Sequence, residues 1–125
     1  LIHGYALAIK FVFACEELDV RNWTVDFGSL KSLKGWLEDT FDHTLLVAGD
    51  DPELETFFLL KAKGIADVVI VEKTGCEAFA KLIFECAEIW LKDNGYSPRV
   101  WLNSVEVKEH GANSAIYVQG KPNAE

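Results

Sequence analysis

The sequence predicts an α+β domain, with helices on one face of a mainly antiparallel sheet. Three observations carry this. Apolar residues alternate with period two near both ends of the chain. Between these strands, apolar residues recur at helical spacing in three stretches. Their order, strands then helices then strands, belongs to an α+β protein rather than to a regularly alternating α/β one.

The elements follow from local pattern. From His3 to Phe13 the odd positions are His3, Tyr5, Leu7, Ile9, Phe11 and Phe13, which makes a strand with one large-residue face. A polar turn, Cys15 to Asn22, leads to a second short strand expected over Trp23 to Phe27. Gly28-Ser29 opens a helix whose stripe is Leu30, Leu33, Leu37 and Phe41, with Gly35 weakening it from within. Asp51-Pro52 starts another helix, carrying Leu54, Phe57 and Phe58 and stopping at Gly64. Val68 to Val71 is a short β-branched strand. The strongest helix begins at Gly75 or Cys76 and ends at Asn94-Gly95, its apolar face being Phe79, Leu82, Ile83, Cys86, Trp90 and Leu91. Two strands close the domain, about Arg99 to Glu109 and Ser114 to Val118, joined by His110-Gly-Ala-Asn113.

Composition narrows the class of protein. The 125 residues suit one domain, taken as 1–125, and are 50% hydrophobic and 26% charged. That balance excludes a disordered chain, a collagen-like repeat and a disulfide scaffold. The net charge of −8 argues against a nucleic-acid partner, whose binding begins with phosphate neutralisation. No apolar run approaches the roughly 18 residues of a membrane span, so no membrane partner is expected. Three cysteines, Cys15, Cys76 and Cys86, form no CxxC pair, which points to a reducing compartment and a cytoplasmic protein. The sequence has no Met and opens with Leu1 inside a strand pattern, so the native start is expected to lie before it.

Four features can carry chemistry, each with a plainer reading beside it. His3 lies on a strand and can ligate a metal, but the next position on its face is Tyr5, a rare zinc ligand; a lone strand histidine is otherwise a packed or surface residue. Asp42-His43 is either a solvated loop or a pair in which the carboxylate orients a general acid–base imidazole. Glu109 shares its strand side with Val105 and Val107. It either lies past the buried part of the strand or grips a heterocycle through two parallel charge-assisted hydrogen bonds. Cys76-Glu77 opens a helix, where a thiol can be activated and a carboxylate is favoured by the dipole; the alternative is a cap with a small buried thiol.

Taken in order, Ile2-His-Gly-Tyr5, Trp23-Thr-Val-Asp-Phe-Gly28, Phe41-Asp-His-Thr44, Cys76-Glu-Ala-Phe-Ala80 and Val105-Glu-Val-Lys-Glu109 through Tyr117 resemble the 6-pyruvoyl-tetrahydropterin synthase family, which includes bacterial 6-carboxytetrahydropterin synthases. The resemblance implies a tunnelling fold, assembly into a homo-oligomer, usually a hexamer, and sites at subunit interfaces. It implies a small-molecule pterin substrate, 7,8-dihydroneopterin triphosphate, and a lyase reaction giving 6-pyruvoyl- or 6-carboxy-tetrahydropterin, the latter used in queuosine-type deazaguanine synthesis. By position, Asp42 and His43 match the family's proton-transfer pair and Glu109 its pterin-gripping carboxylate. Glu77, with Cys76 beside it, matches the helix-start motif that lines the pterin pocket. The family holds zinc through three histidines, two of them in a His-Gly-His segment. An ungapped match puts His3 on the first and Tyr5 on the second, whereas sliding by two puts His3 on the second at the expense of the strand alternation after Tyr5. The preceding strand, with its histidine and the usual catalytic cysteine, would lie before Leu1. A degenerate pterin-binding homologue without zinc chemistry is the competing expectation.

Overall fold

The alternation near the N-terminus becomes strand β1, Leu7–Cys15, whose odd-numbered side chains are half-buried while Ala8, Lys10 and Val12 face solvent. A computed structural model describes residues 6–109 and 113–122. Strand β1 pairs antiparallel with a long later strand, Val100–Glu109, which in turn pairs antiparallel with Asn113–Val118. The protein divides into two compact units, one formed by residues up to Ser29 and from Cys76 onward, the other by Leu30–Gly75.

The second unit, in sequence order, holds helix α1 (Lys31–Phe41), strand β2 (Leu45–Ala48), helix α2 (Leu54–Ala62) and strand β3 (Val68–Val71). A short 3-10 turn, Phe27–Leu30, leads into α1, and of that helix's stripe Leu33 is the fully buried member. Asp51 Oδ1 accepts from the Glu53 amide at 2.8 Å just before α2, as its Asp-Pro start predicts. Gly64 then ends the helix with φ +71°, a backbone angle that favours glycine. β2 and β3 run parallel, Leu45 opposite Val68 and Ala48 opposite Val71, with α2 as the crossover. The sequence pattern does not predict β2. Its four apolar residues, Leu45 to Ala48, show no alternation to mark a strand.

The first unit continues with helix α3 (Cys76–Asp93) and strands β4 (Val100–Glu109) and β5 (Asn113–Val118), in sheet order β1-β4-β5. The α3 face that is buried runs Cys76, Ala80, Ile83, Phe84, Ala87, Trp90 and Leu91. Phe79, Leu82 and Cys86, expected in that stripe, flank it half-buried. Ala80, Phe84 and Ala87 belong to the buried face instead. α3 packs on β4 and β5, and the Phe84 and Tyr117 rings meet at 4.9 Å between centroids.

Strand β4 changes parity along its length. Val100 and Leu102 are buried, and so are Val105 and Val107, which regular alternation would put on opposite faces. The pairing explains this: Val12 lies opposite Ser104 but Phe13 opposite Leu102, so Asn103 is an extra residue, a β-bulge. Its carbonyl is taken by the Gln119 amide at 3.1 Å. Both halves of β4 therefore present their apolar residues to α3, and Glu109, continuing the series of Val105 and Val107, lies on the same side.

The stretch from Trp23 to Phe27 is not a strand. Its backbone groups are claimed by side chains before any ladder can form. Arg99 donates to the carbonyls of Glu17 at 3.0 Å, Trp23 at 3.5 Å and Thr24 at 2.8 Å. Asp26 receives the Gly28 amide on its carboxylate at 2.9 Å and the Ser29 hydroxyl on its carbonyl at 2.7 Å. Tyr96, stacked on Trp90, accepts the Asp26 amide on its hydroxyl at 3.3 Å. No helix among the described residues is long and apolar enough to cross a membrane.

Two substitutions test this packing. Leu91→Ala, at a fully buried site against the sheet, is expected to lower unfolding stability by about 2–5 kcal/mol. Arg99→Ala, which leaves the Trp23–Thr24 segment without its tether, is expected to cost about 1–3 kcal/mol. Urea unfolding of each variant against the parent, with Lys81→Ala as a surface control, reads both.

Candidate functional site

Two groups of the candidate residues have their side chains together, one in each unit. The first unit resumes at Cys76, the first residue of α3, directly after Gly75, whose backbone turns with φ +110°. Only glycine adopts such an angle without strain. Cys76 is thereby buried at the helix start, and its Sγ donates to Glu109 Oε2 at 3.5 Å. Glu109 is half-buried at the last position of β4, opposite Leu7 on one side and Asn113 on the other. Glu77 is exposed in the first turn of α3, where the helix dipole favours an anion. The carboxylate of Glu109 thus stands at the rim of the apolar face formed with Val105 and Val107, held by a donor on the neighbouring helix.

Burial pushes the Cys76 thiol above its ordinary value, and the hydrogen bond to Glu109 and the charges of Glu109 and Glu77 push it further the same way. The thiol is protonated at neutral pH. Of the two readings of Cys76, an activated nucleophile or a buried helix-start thiol, this environment suits the second. Cys86 is raised as well, by burial and then by the charge of Glu85.

In the second unit, α1 ends where Asp42 turns to extended backbone while its amide still bonds the Glu38 carbonyl at 2.9 Å. His43 follows with φ +54°, a left-handed turn that histidine tolerates better than most side chains. Thr44 Oγ1 donates back to the Thr40 carbonyl at 2.7 Å, and Leu45 begins β2. This reversal brings adjacent side chains together: His43 Nδ1 lies 3.0 Å from Asp42 Oδ1. The pair is in solvent, with side-chain exposures of 92% and 63%, so its attraction is weak and its value is geometric. With Nδ1–H donating to Asp42, Nε2 is the nitrogen left to exchange a proton.

His3, the candidate metal ligand, and Tyr5 lie outside the described residues. Among the described residues no group of three or more His, Cys, Asp or Glu side chains could hold a metal ion. The described donor set does not by itself fit zinc.

One feature goes beyond what the sequence predicts. An open groove of about 620 Å³ in the first unit is lined by Phe11, Val12, Phe13, Asn22 and the Trp23–Phe27 segment. Its signal in the sequence is the aromatic Trp23–Phe27 motif, whose alternation points to a strand and hides the groove.

An antiparallel sheet backed by a helix, three α-helices among the described residues, and a carboxylate at the sheet rim define a protein of the α+β class. Residues 1–120 match the family model of 6-pyruvoyl tetrahydropterin synthase, and the chain belongs to that family. Over 54 residues it is 35% identical to the 6-carboxy-5,6,7,8-tetrahydropterin synthase of Rickettsia bellii and 33% identical to that of Rickettsia conorii. Each match covers 42% of this chain and 39% of the relative, so it spans well under half the length of these proteins. The crystal structure of an uncharacterized protein from Wolinella succinogenes shares the fold, with a TM-score of 0.78 at 20% identity over 94% of this chain and 79% of that one.

The raised thiols set a pH dependence. A thiol raised in the folded state stabilises the fold below its unfolded value, and that stability is lost as pH rises through the folded one. Stability is therefore expected to fall more steeply between about pH 8 and pH 10 in the parent than in Cys76→Ala. Urea titrations at the two pH values check the sign.

Proposed function

We propose that the protein is a tetrahydropterin synthase acting on 7,8-dihydroneopterin triphosphate. The observation that carries this reading is the Glu109 carboxylate, presented at the end of an apolar strand face in a member of this family. A dihydropterin offers two adjacent N–H donors on its pyrimidine edge, and a carboxylate can accept both in parallel, which fixes the ring's orientation as well as its position. Glu77 and Cys76, at the neighbouring helix start, line the same pocket.

His43 exchanges protons with the aliphatic arm of the substrate through Nε2. Asp42 holds Nδ1–H, sets the tautomer and stabilises the imidazolium once the proton is taken. Removal of a C–H proton from that arm gives an enediol-like intermediate, from which triphosphate leaves to give the 6-pyruvoyl product. Addition of water with loss of acetaldehyde leads instead to the 6-carboxy product, and the naming of the rickettsial relatives favours it for this protein. His3 would be one ligand of a zinc ion in this reading, and the ion would supply Lewis acidity to the hydroxyl oxygens of the arm, which acidifies the neighbouring C–H. The protein acts in the cytoplasm as a homo-oligomer, a hexamer in the family's usual form. The edges of β1 and β5 and the exposed side chains of Val12, Ile116 and Val118 support subunit pairing.

A second reading rests on Tyr5. It stands where the family resemblance has a zinc-binding histidine, and a homologue without that ligand would bind pterin and not turn it over.

Turnover of 7,8-dihydroneopterin triphosphate by the full-length protein decides between the two. Glu109→Gln is expected to weaken substrate binding about tenfold or more, appearing in KM. His43→Asn, which tolerates the left-handed backbone, is expected to lower kcat by about 100-fold or more with KM little changed. Binding without turnover, in protein carrying no zinc after loading, would make the pterin-binding homologue the correct account.

A further inference from the structure

We propose that Cys76 is a positioning residue for Glu109: its thiol donates to Oε2 and fixes the plane of the carboxylate that receives the pterin's paired N–H groups. The inference rests on the reading of Glu109 as the pterin anchor.

A glutamate on a strand end has three rotatable side-chain bonds, and ordering them costs conformational entropy. Bidentate recognition works best if that ordering has been done before the ligand arrives. Cys76 is suited to it. Its side chain has a single rotatable carbon bond, is buried, and sits at the first residue of an 18-residue helix packed on the strand that carries Glu109. The contact therefore joins two rigid elements. An ionised carboxylate only accepts hydrogen bonds, so the sulfur must keep its proton to contribute. A thiolate would put a second negative charge against the first. Lysine or arginine at this place would also hold the carboxylate, but would compete with the ligand's donors for the same oxygens. A neutral, weak donor orients the carboxylate without neutralising it.

The test uses the full-length protein and 7,8-dihydroneopterin, which carries the ring without the triphosphate, in a fluorescence titration. Cys76→Ala is expected to weaken binding about five- to tenfold, and Cys76→Ser, which restores a donor, to stay within about threefold of the parent. Far-UV circular dichroism and urea midpoints verify that both variants fold. Equal affinity for Cys76→Ala and the parent would overturn the proposal. Equal losses for Ala and Ser would overturn it too, since they would assign the sulfur a packing role.

A second arm needs no pterin. Glu109→Gln removes the acceptor's charge, so alkylation of Cys76 at about pH 8, followed by peptide mapping, is expected to speed up about threefold or more. An unchanged rate would show that the two groups are uncoupled and overturn the proposal. If the rate rises but Glu109→Gln leaves 7,8-dihydroneopterin affinity intact, the pairing stands and the anchor reading of Glu109 falls.

Discussion

The extra residue at Asn103 decides which way the end of β4 faces. Side chains on a strand alternate with period two, so one inserted residue reverses every assignment beyond it. Val100 and Leu102 precede the bulge, and Val105, Val107 and Glu109 follow it, yet all five lie on the face covered by α3. A strand that crossed this point without the bulge would bury one half of the series and expose the other. Glu109 would then stand on the open face of the sheet, away from Cys76. The helix packing and the candidate anchor share one structural cause.

The two chemical groups are built on different physical terms. Cys76 and Glu109 are held by regular secondary structure, a buried helix start against the end of a central strand, and the low exposure of the thiol keeps it neutral. Such a pair can fix geometry but has little capacity to move protons near neutral pH. Asp42 and His43 are exposed on a tight reversal after α1, held by backbone conformation more than by packing. An imidazole in that setting is open to solvent and free to meet a substrate. Anchoring and proton transfer have opposite requirements, and the fold places candidates for each in the matching environment.

Much of this is legible in the residues. The long stripe after Gly75, the apolar series Val105, Val107 and Glu109, and the Asp-Pro start before α2 are local signals that packing reinforces. What the sequence hides is of another kind. Trp23 to Phe27 alternates like a strand, but Arg99 and Tyr96, roughly seventy residues away, take its backbone groups. β2 is four residues long and carries no alternation to detect. The buried face of α3 is turned from the expected one, taking in Ala80, Phe84 and Ala87 while Phe79, Leu82 and Cys86 stand half-buried at its sides. Each of these depends on a partner distant in sequence. The contact of Cys76 with Glu109 is of the same kind: each residue stands out by its own local pattern, and only the packing of α3 on β4 shows that they meet.

The most direct measurement is a crystal structure of the full-length protein with 7,8-dihydroneopterin bound. The account predicts the pyrimidine edge of the ring paired with both oxygens of Glu109, with Cys76 Sγ still in hydrogen-bond contact with Oε2. A ring seated away from Glu109, or a β4 without the Asn103 bulge and with Glu109 on the opposite face, would contradict it.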